Sequence, residues 1–91
     1  MKLPKNPELV HWLDSARPSP DWQFLSELPP LTVIRCISVG WVVDEDDAVL
    51  MLAPNVGDVD SESPQACGFL KVPKRSIVLR VPMVEANARP S

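Results

Sequence analysis

Residues 31–54, LTVIRCISVGWVVDEDDAVLMLAP, decide the fold of this chain. They form a long apolar run that is interrupted once, by the four acids of residues 44–47. The apolar parts are rich in β-branched residues, which fit a pleated sheet, whereas four adjacent like charges favour a solvated turn. The sequence therefore predicts a β-hairpin with its tip at residues 44–47 and its return strand at residues 48–53.

The first strand of this hairpin has two different faces, because successive side chains point to opposite sides of a strand. The bulky face holds Val33, Arg35, Ile37, Val39, Trp41 and Val43, and the small face holds Ile34, Cys36, Ser38, Gly40 and Val42. A glycine in mid-strand indicates a bulge or the bend of a curling sheet. The return strand is apolar on both faces, so we expect it to be covered by the sheet interior on one side and by a helix or a second subunit on the other.

Length and composition indicate one globular domain. The 91 residues are 45% hydrophobic and 23% charged, and the 11 prolines argue against long helices. No apolar run reaches the roughly 20 residues of a membrane span. The basic start, MKLPKNPEL, is not followed by the apolar segment of a secretory signal. We therefore expect a cytoplasmic protein that makes no contact with a membrane.

The N-terminal third carries two helix-start patterns. Asn6-Pro7-Glu8 offers a cap, a favourable first proline and an acid suited to the helix dipole, and Ser19-Pro20-Asp21 repeats the pattern. Apolar residues follow at helical spacing: Leu9, Trp12, Leu13 and Ala16 after the first pattern, and Trp22, Leu25 and Leu28 after the second. The sequence predicts one or two short helices, which are stable only if they pack as a lid on the β region.

After Pro54 the chain becomes polar, and residues 55–65 are predicted to be an acidic loop. Residues 66–72 and 77–83 are predicted to be strands, separated by a one-turn break at residues 73–76. The expected organisation is a single domain with a helical lid at 1–30, a β-barrel core at 31–83 and a disordered tail at 84–91.

The strings SVGWVV, DAVLMLAP and CGFLKVPKRSIVLRV, with their one-turn break before the last strand, look like a small five-stranded barrel of the Sm-like or SH3-like kind. The same strings resemble small uncharacterised proteins of bacteria and of their phages and prophages. The resemblance covers about residues 22–81 and implies a fold but no chemistry. Sm proteins bind RNA through a polar loop in a ring. The matching loops here are acidic, so that function is not carried over.

Charge is segregated along the chain. Residues 44–62 hold seven acids and no base, whereas residues 71–89 hold five bases and one acid. A solvated hairpin tip and a charged sheet edge that resists aggregation would account for the two blocks without any function. The functional interpretation is a non-enzymatic interaction or regulatory module that docks its acidic hairpin tip and its acidic loop on a partner protein. The expected partner-binding residues are Asp44, Glu45, Asp46 and Asp47, with Trp41 or Trp22 as an exposed anchor.

Two alternatives belong to other classes of function. The first is a nucleic-acid-binding Sm-like protein that uses Lys71, Lys74, Arg75 and Arg80. The net charge of −3 and the absence of tyrosine oppose it, because binders of single strands interleave basic and aromatic side chains. The second is a structural homo-oligomer, such as a homodimer that pairs through the doubly apolar return strand.

Catalysis and metal binding find little support. The chain has no nucleophile elbow, no glycine-rich phosphate loop and no HExxH motif, so we expect no catalytic residue and no cofactor. Cys36, Cys67 and His11 are too few for a zinc site, and the two cysteines are predicted to be small core residues, with a cross-strand disulfide as the alternative. Alternating acids at Asp58, Asp60 and Glu62 suit a hard cation, but a solvated loop is the preferred interpretation, and we expect no metal.

Overall fold

The computed structural model describes residues 6–15, 18–84 and 86, and within them the chain is mainly β. The strands are β1 (Pro7–Asp14), β2 (Ile34–Glu45), β3 (Val49–Ala53), β4 (Asn55–Gly57), β5 (Gln65–Cys67), β6 (Leu70–Pro73) and β7 (Ile77–Pro82). Two 3-10 turns accompany them, at Leu25–Glu27 and at Lys74–Ser76. Among the described residues, the structure contains no helix that could span a membrane.

Five strands form one antiparallel sheet in the order β6-β3-β2-β1-β7, and β4 pairs with β5 in a separate two-stranded ribbon. The mainly β class and the five-stranded sheet are confirmed, as is the hairpin, which is formed by β2 and β3. Within the described part of the chain, β6 and β7 do not pair with each other. They are the two edges of the sheet, and the hydrogen-bonded ladder does not close into a barrel.

The N-terminal segment departs most from the sequence prediction. Residues 7–14 are a strand between β2 and β7, not a helix, and residues 18–33 contain a 3-10 turn in place of the second helix. The spacing of the apolar residues in β1 fits the period of a helix as well as the period of a strand. In the structure Val10 and Trp12, two residues apart, point into the core, while Leu9 points outward. Pairing along both sides of the strand outweighs the weak helix preference of so short a segment. Residues 7–14 therefore belong to the sheet rather than to a helical lid.

The core lies on one face of the sheet. Its buried side chains, among the described residues, are Val10, Leu50, Leu52 and Val72, whereas Ala53 is also buried but lies on the opposite face, beside Trp41. Trp12 packs against this cluster, and its Nε1 donates a hydrogen bond to Ser38 Oγ at 3.0 Å across the β1–β2 pair. Ser38 stands opposite Val10 and Gly40 stands opposite Glu8, so the small face of β2 is the inward face.

Gly40 lies where β2 meets the backbone of β3. A Cβ atom at this position would stand 2.9 Å from the carbonyl oxygen of Ala53, closer than real Cβ atoms approach. The irregularity of the β2–β3 pairing is further along, between Val42 and Asp44. Glycine at position 40 thus permits a close approach of two backbones, and the bulge falls three residues later.

Both cysteines have free thiols, but they are not core residues. Cys36 is half-buried, and Cys67 is exposed because β5 belongs to the ribbon outside the main sheet. The prediction of two buried cysteines is therefore wrong. The predicted disordered tail lies outside the described residues except for Val84 and Ala86.

Candidate interaction surfaces

The tip of the β2–β3 hairpin is closed by Asp46. Its Oδ1 accepts hydrogen bonds from the backbone N–H groups of Ala48 and Val49, each at 2.8 Å, and its own N–H donates to the Val49 carbonyl at 3.0 Å. The bonds from Ala48 and Val49 hold the pKa of Asp46 below its usual range. Asp46 is therefore a residue of the turn, as is common for aspartate in tight turns.

Glu45 belongs to a cluster of ion pairs on the inward side of the sheet. Its carboxylate lies 2.6 Å from Lys74 Nζ and 3.2 Å from Arg80 Nη1. Arg80 also donates two hydrogen bonds to the carboxylate of Glu8, at 2.7 and 2.8 Å. Hydrogen bonds from Arg80 and Lys74 lower the pKa of Glu45, and those to Glu8 and Glu45 raise the pKa of Arg80. We call these four residues the ion-pair cluster.

The ion-pair cluster joins two sets of residues that the sequence placed in separate sites. Glu45 was expected to face a partner protein, and Lys74 and Arg80 were expected to face nucleic acid. In the structure these three side chains largely satisfy one another. Lys71 and Arg75 remain exposed, so the four predicted bases do not form one free basic surface.

Two acids of the tip remain free to meet a partner. Asp44 and Asp47 are exposed, and the hydrogen bond that Asp44 accepts comes from the adjacent N–H of Glu45, at 2.9 Å. Trp41, one of the two predicted anchors, is half-buried between Pro7 of β1 and Ala53 of β3. The structure thus brings Asp44 and Asp47 together at the tip and leaves Trp41 further down β2.

An apolar groove of about 220 Å³ lies beside the tip, where the β4–β5 ribbon approaches the hairpin. Its walls are Val43, Met51, Val56, Pro64, Ala66 and Phe69, with Asp44 and Gln65 as polar members. We call it the tip groove. Sequence reasoning missed it because residues 55–65 were predicted to be a plain loop. The sequence signal for the groove was weak: Val56 and Phe69 are apolar residues in or beside this polar stretch, but their spacing fits neither a helix nor a strand.

The second apolar surface is the side of β1, β2 and β7 that faces away from the core. Leu9 lies between Val39 and Val81, and His11 lies between Ile37 and Leu79. The outer face, as we call it, consists of Leu9, His11, Leu13, Arg35, Ile37, Val39, Leu79 and Val81. All of these are exposed except Leu9 and His11, which are half-buried. The bulky face of β2, recognised in the sequence, is therefore the one turned outward.

The third apolar surface is the segment between β1 and β2. Residues 18–33, the apolar arm, carry six exposed large hydrophobic side chains: Trp22, Phe24, Leu25, Leu28, Leu31 and Val33. Trp22 and Leu31 are 101% and 104% exposed, as they would be in an extended peptide. The expected packing of this segment as a lid on the sheet is not seen, since every residue from 18 to 33 is exposed.

One acid of the long loop, Asp58, is engaged in the loop's own turn. The Asp58 carbonyl accepts hydrogen bonds from the N–H and Oγ of Ser61, and Asp58 Oδ2 accepts one from Gln65 Nε2 at 3.1 Å. In the part of the chain that the structure describes, no group of three His, Cys, Asp or Glu side chains is placed to hold a metal ion.

Comparison of the chain with models of protein families, with curated proteins and with solved structures gives no match.

Proposed function

We propose that this protein is a non-enzymatic interaction module that binds a partner protein through the hairpin tip and the tip groove. The observation that carries the proposal is the position of Asp44, an exposed carboxylate at the rim of an apolar groove. An acid beside an apolar cleft is complementary to a segment in which a lysine or arginine neighbours a leucine, methionine or phenylalanine.

The construction of the tip supports the same proposal. Asp46 fixes the turn, and Glu45 is held by Lys74 and Arg80. Asp44 and Asp47 are thereby presented on a rigid support, which reduces the entropy that binding costs. Glu45 and Asp46 thus hold the tip in shape, and Asp44 and Asp47 contact the partner. The tip groove supplies the apolar contact in place of the half-buried Trp41.

Charge reversal at the tip tests the electrostatic part of the proposal. The variant D44K/D47K should capture less partner from a lysate of the source cells than the wild type does, and the difference should shrink at high salt because exposed charges are screened. The variant D60K/E62K changes the net charge equally in the neighbouring loop and is the matched control. Equal capture by the two variants would contradict a role for the tip.

A second pair of variants tests the groove. Phe69→Ser removes an exposed apolar wall of the tip groove, whereas Val59→Ser removes an exposed apolar side chain outside it. We expect the first to weaken capture and the second to leave it unchanged. If the captured material is nucleic acid that high salt releases, function belongs instead to exposed bases such as Lys71 and Arg75.

We also infer that the sheet curls like an incompletely closed barrel of the Sm-like or SH3-like kind. Arg80 of β7 reaches Glu45 at the end of β2 although β1 lies between these strands, which favours strong curvature. The 3-10 turn between β6 and β7 stands where the resemblance requires a one-turn break. An experimental structure with a flat sheet would contradict this inference. A bacterial or phage source and a cytoplasmic location stay predictions.

A further inference from the structure

The connection between β1 and β2 is much longer than the sheet requires. Asp14 and Ile34 are direct partners in the antiparallel pair, so a hairpin turn of two to five residues would join the strands. The chain instead uses roughly twenty residues, a length that is uncommon in small domains and is found mostly in functional loops or in linkers. The apolar arm is most of this connection.

The arm is built as an extended and partly stiffened segment. Its hydrogen bonds are local, as from the Glu27 N–H to the Phe24 carbonyl and from the Thr32 N–H to the Pro30 carbonyl. Four prolines between residues 18 and 30 restrict its backbone in the unbound state. A segment of this kind loses less conformational entropy when it docks than a flexible one does.

The outer face and the arm match each other in polarity and in charge. Both are dominated by exposed apolar side chains. The charged or titratable residues of the outer face are Arg35 and His11, whereas those of the arm are Asp21 and Glu27. A basic, apolar face and an acidic, apolar segment are complementary, because opposite charges face each other across protein interfaces.

We propose that the apolar arm of one copy packs across the outer face of a second copy, and that the exchange is reciprocal. The product is a two-fold symmetric dimer in which each copy gives an arm and receives one. Buried Trp and Phe side chains each contribute about 150–250 Å², so Trp22 and Phe24 of two copies supply about 600–1,000 Å² of arm surface. With the outer faces that they cover, the total exceeds the roughly 1,200 Å² of a specific interface.

This dimer involves neither the tip nor the tip groove, so it stands or falls independently of the proposed function. Sedimentation velocity over a range of concentrations tests it. The wild type should pass from monomer to dimer as its concentration rises. The arm variant W22S/L25S and the face variant I37D should each raise the dissociation constant at least tenfold. V59D, which places the same charge on a 51% exposed valine in the loop, should leave the constant unchanged.

Mixing the two defective variants identifies the contact. The arm variant keeps an intact outer face and the face variant keeps an intact arm, so an equimolar mixture should form a heterodimer through the one remaining contact. Far-UV circular dichroism of each variant establishes that it is folded, and Leu79→Ser replaces I37D if that variant is not. A wild type that stays monomeric, variants that associate like the wild type, or a mixture that stays monomeric would each overturn the proposal.

Discussion

At the scale of single residues, Gly40 is the position where the backbone leaves least room. A methyl group there would meet the Ala53 carbonyl oxygen at 2.9 Å and the Ala53 carbonyl carbon at 3.0 Å, and backbone atoms cannot rotate away as a flexible side chain can. We expect Gly40→Ala to lower the free energy of unfolding by about 1–3 kcal/mol, the usual cost of forcing extra volume into a packed site. Urea denaturation measures this change.

Gly57 provides the matched control for that prediction. A Cβ at position 57 would have no atom within 4 Å, so Gly57→Ala should change the free energy of unfolding by no more than about 0.5 kcal/mol. If the two alanine variants are equally stable, the close approach of β2 and β3 at Gly40 is not a feature of the folded protein.

Glu45 gives the fold a dependence on pH. Its pKa is lowered in the folded state by the hydrogen bonds from Arg80 and Lys74, so its contribution to stability is present above the ordinary value of 4.5 and is lost as the pH falls through the folded pKa. Its side chain is 36% exposed, and solvent therefore limits this contribution to about 1 kcal/mol or less. Glu45→Gln should be less stable than the wild type at neutral pH and equally stable at about pH 3.

Urea unfolding at the two pH values checks this prediction. Asp47→Asn removes a neighbouring tip acid that makes no hydrogen bond or ion pair among the described residues, and it should have little effect at either pH. A Glu45→Gln variant whose deficit persists in acid would show that the ion pairs are not its cause.

At the scale of elements, the hairpin could be predicted from sequence and β1 could not. In the hairpin three local signals agree: the β-branched residues favour strands, the DEDD sequence favours a turn, and the alternation of side chains gives the first strand two distinct faces. In β1, Asn6-Pro7-Glu8 imitates a helix start, and the apolar residues fit either period. The structure is decided by pairing with β2 and β7, which lie far away in the sequence. No local window contains that information.

Because β1 is an interior strand of the sheet, we expect different tolerance to proline in β1 and in the arm. Leu9 pairs with Val39 on one side and with Val81 on the other, and a proline there removes a ladder hydrogen bond inside the sheet. We expect Leu9→Pro to abolish the cooperative thermal transition. Gln23→Pro, in the arm, should retain a transition within a few degrees of the wild type. A folded Leu9→Pro variant would be evidence against a strand at residues 7–14.

At the scale of the whole molecule, the separation of charge along the chain does not survive folding. The acidic and basic blocks were visible in the sequence, and they suggested two opposed surfaces. Glu45 of the acidic block, however, lies 2.6 Å from Lys74 and 3.2 Å from Arg80 of the basic block, because the folded sheet brings these distant parts of the chain together. Strand order is a non-local property, so the sequence identified the candidate residues of the tip but not which of them are neutralised.

The small size of the buried core explains why the exposed apolar surfaces matter for stability. Five side chains are fully buried among the described residues, a small core for a chain of 91 residues. A core of this size gives modest stability, and small domains commonly gain more by association. The outer face and the apolar arm hold the apolar area that association would bury.

The sheet does not depend on the apolar arm for its folding. Because Asp14 and Ile34 are already paired, replacement of residues 15–33 by a four-residue turn should leave the sheet intact. Shortening the loop about fivefold should raise the free energy of unfolding of the monomer by about 1 kcal/mol, since closing a shorter loop costs less entropy. The shortened chain should no longer dimerise. Urea denaturation at low concentration and sedimentation velocity measure the two effects.

A Gly-Ser replacement of equal length should lose dimerisation without the gain in stability, which distinguishes the effect of the apolar side chains from the effect of loop length. A shortened chain that fails to fold would mean that the arm packs on its own sheet, as the lid predicted from the sequence would.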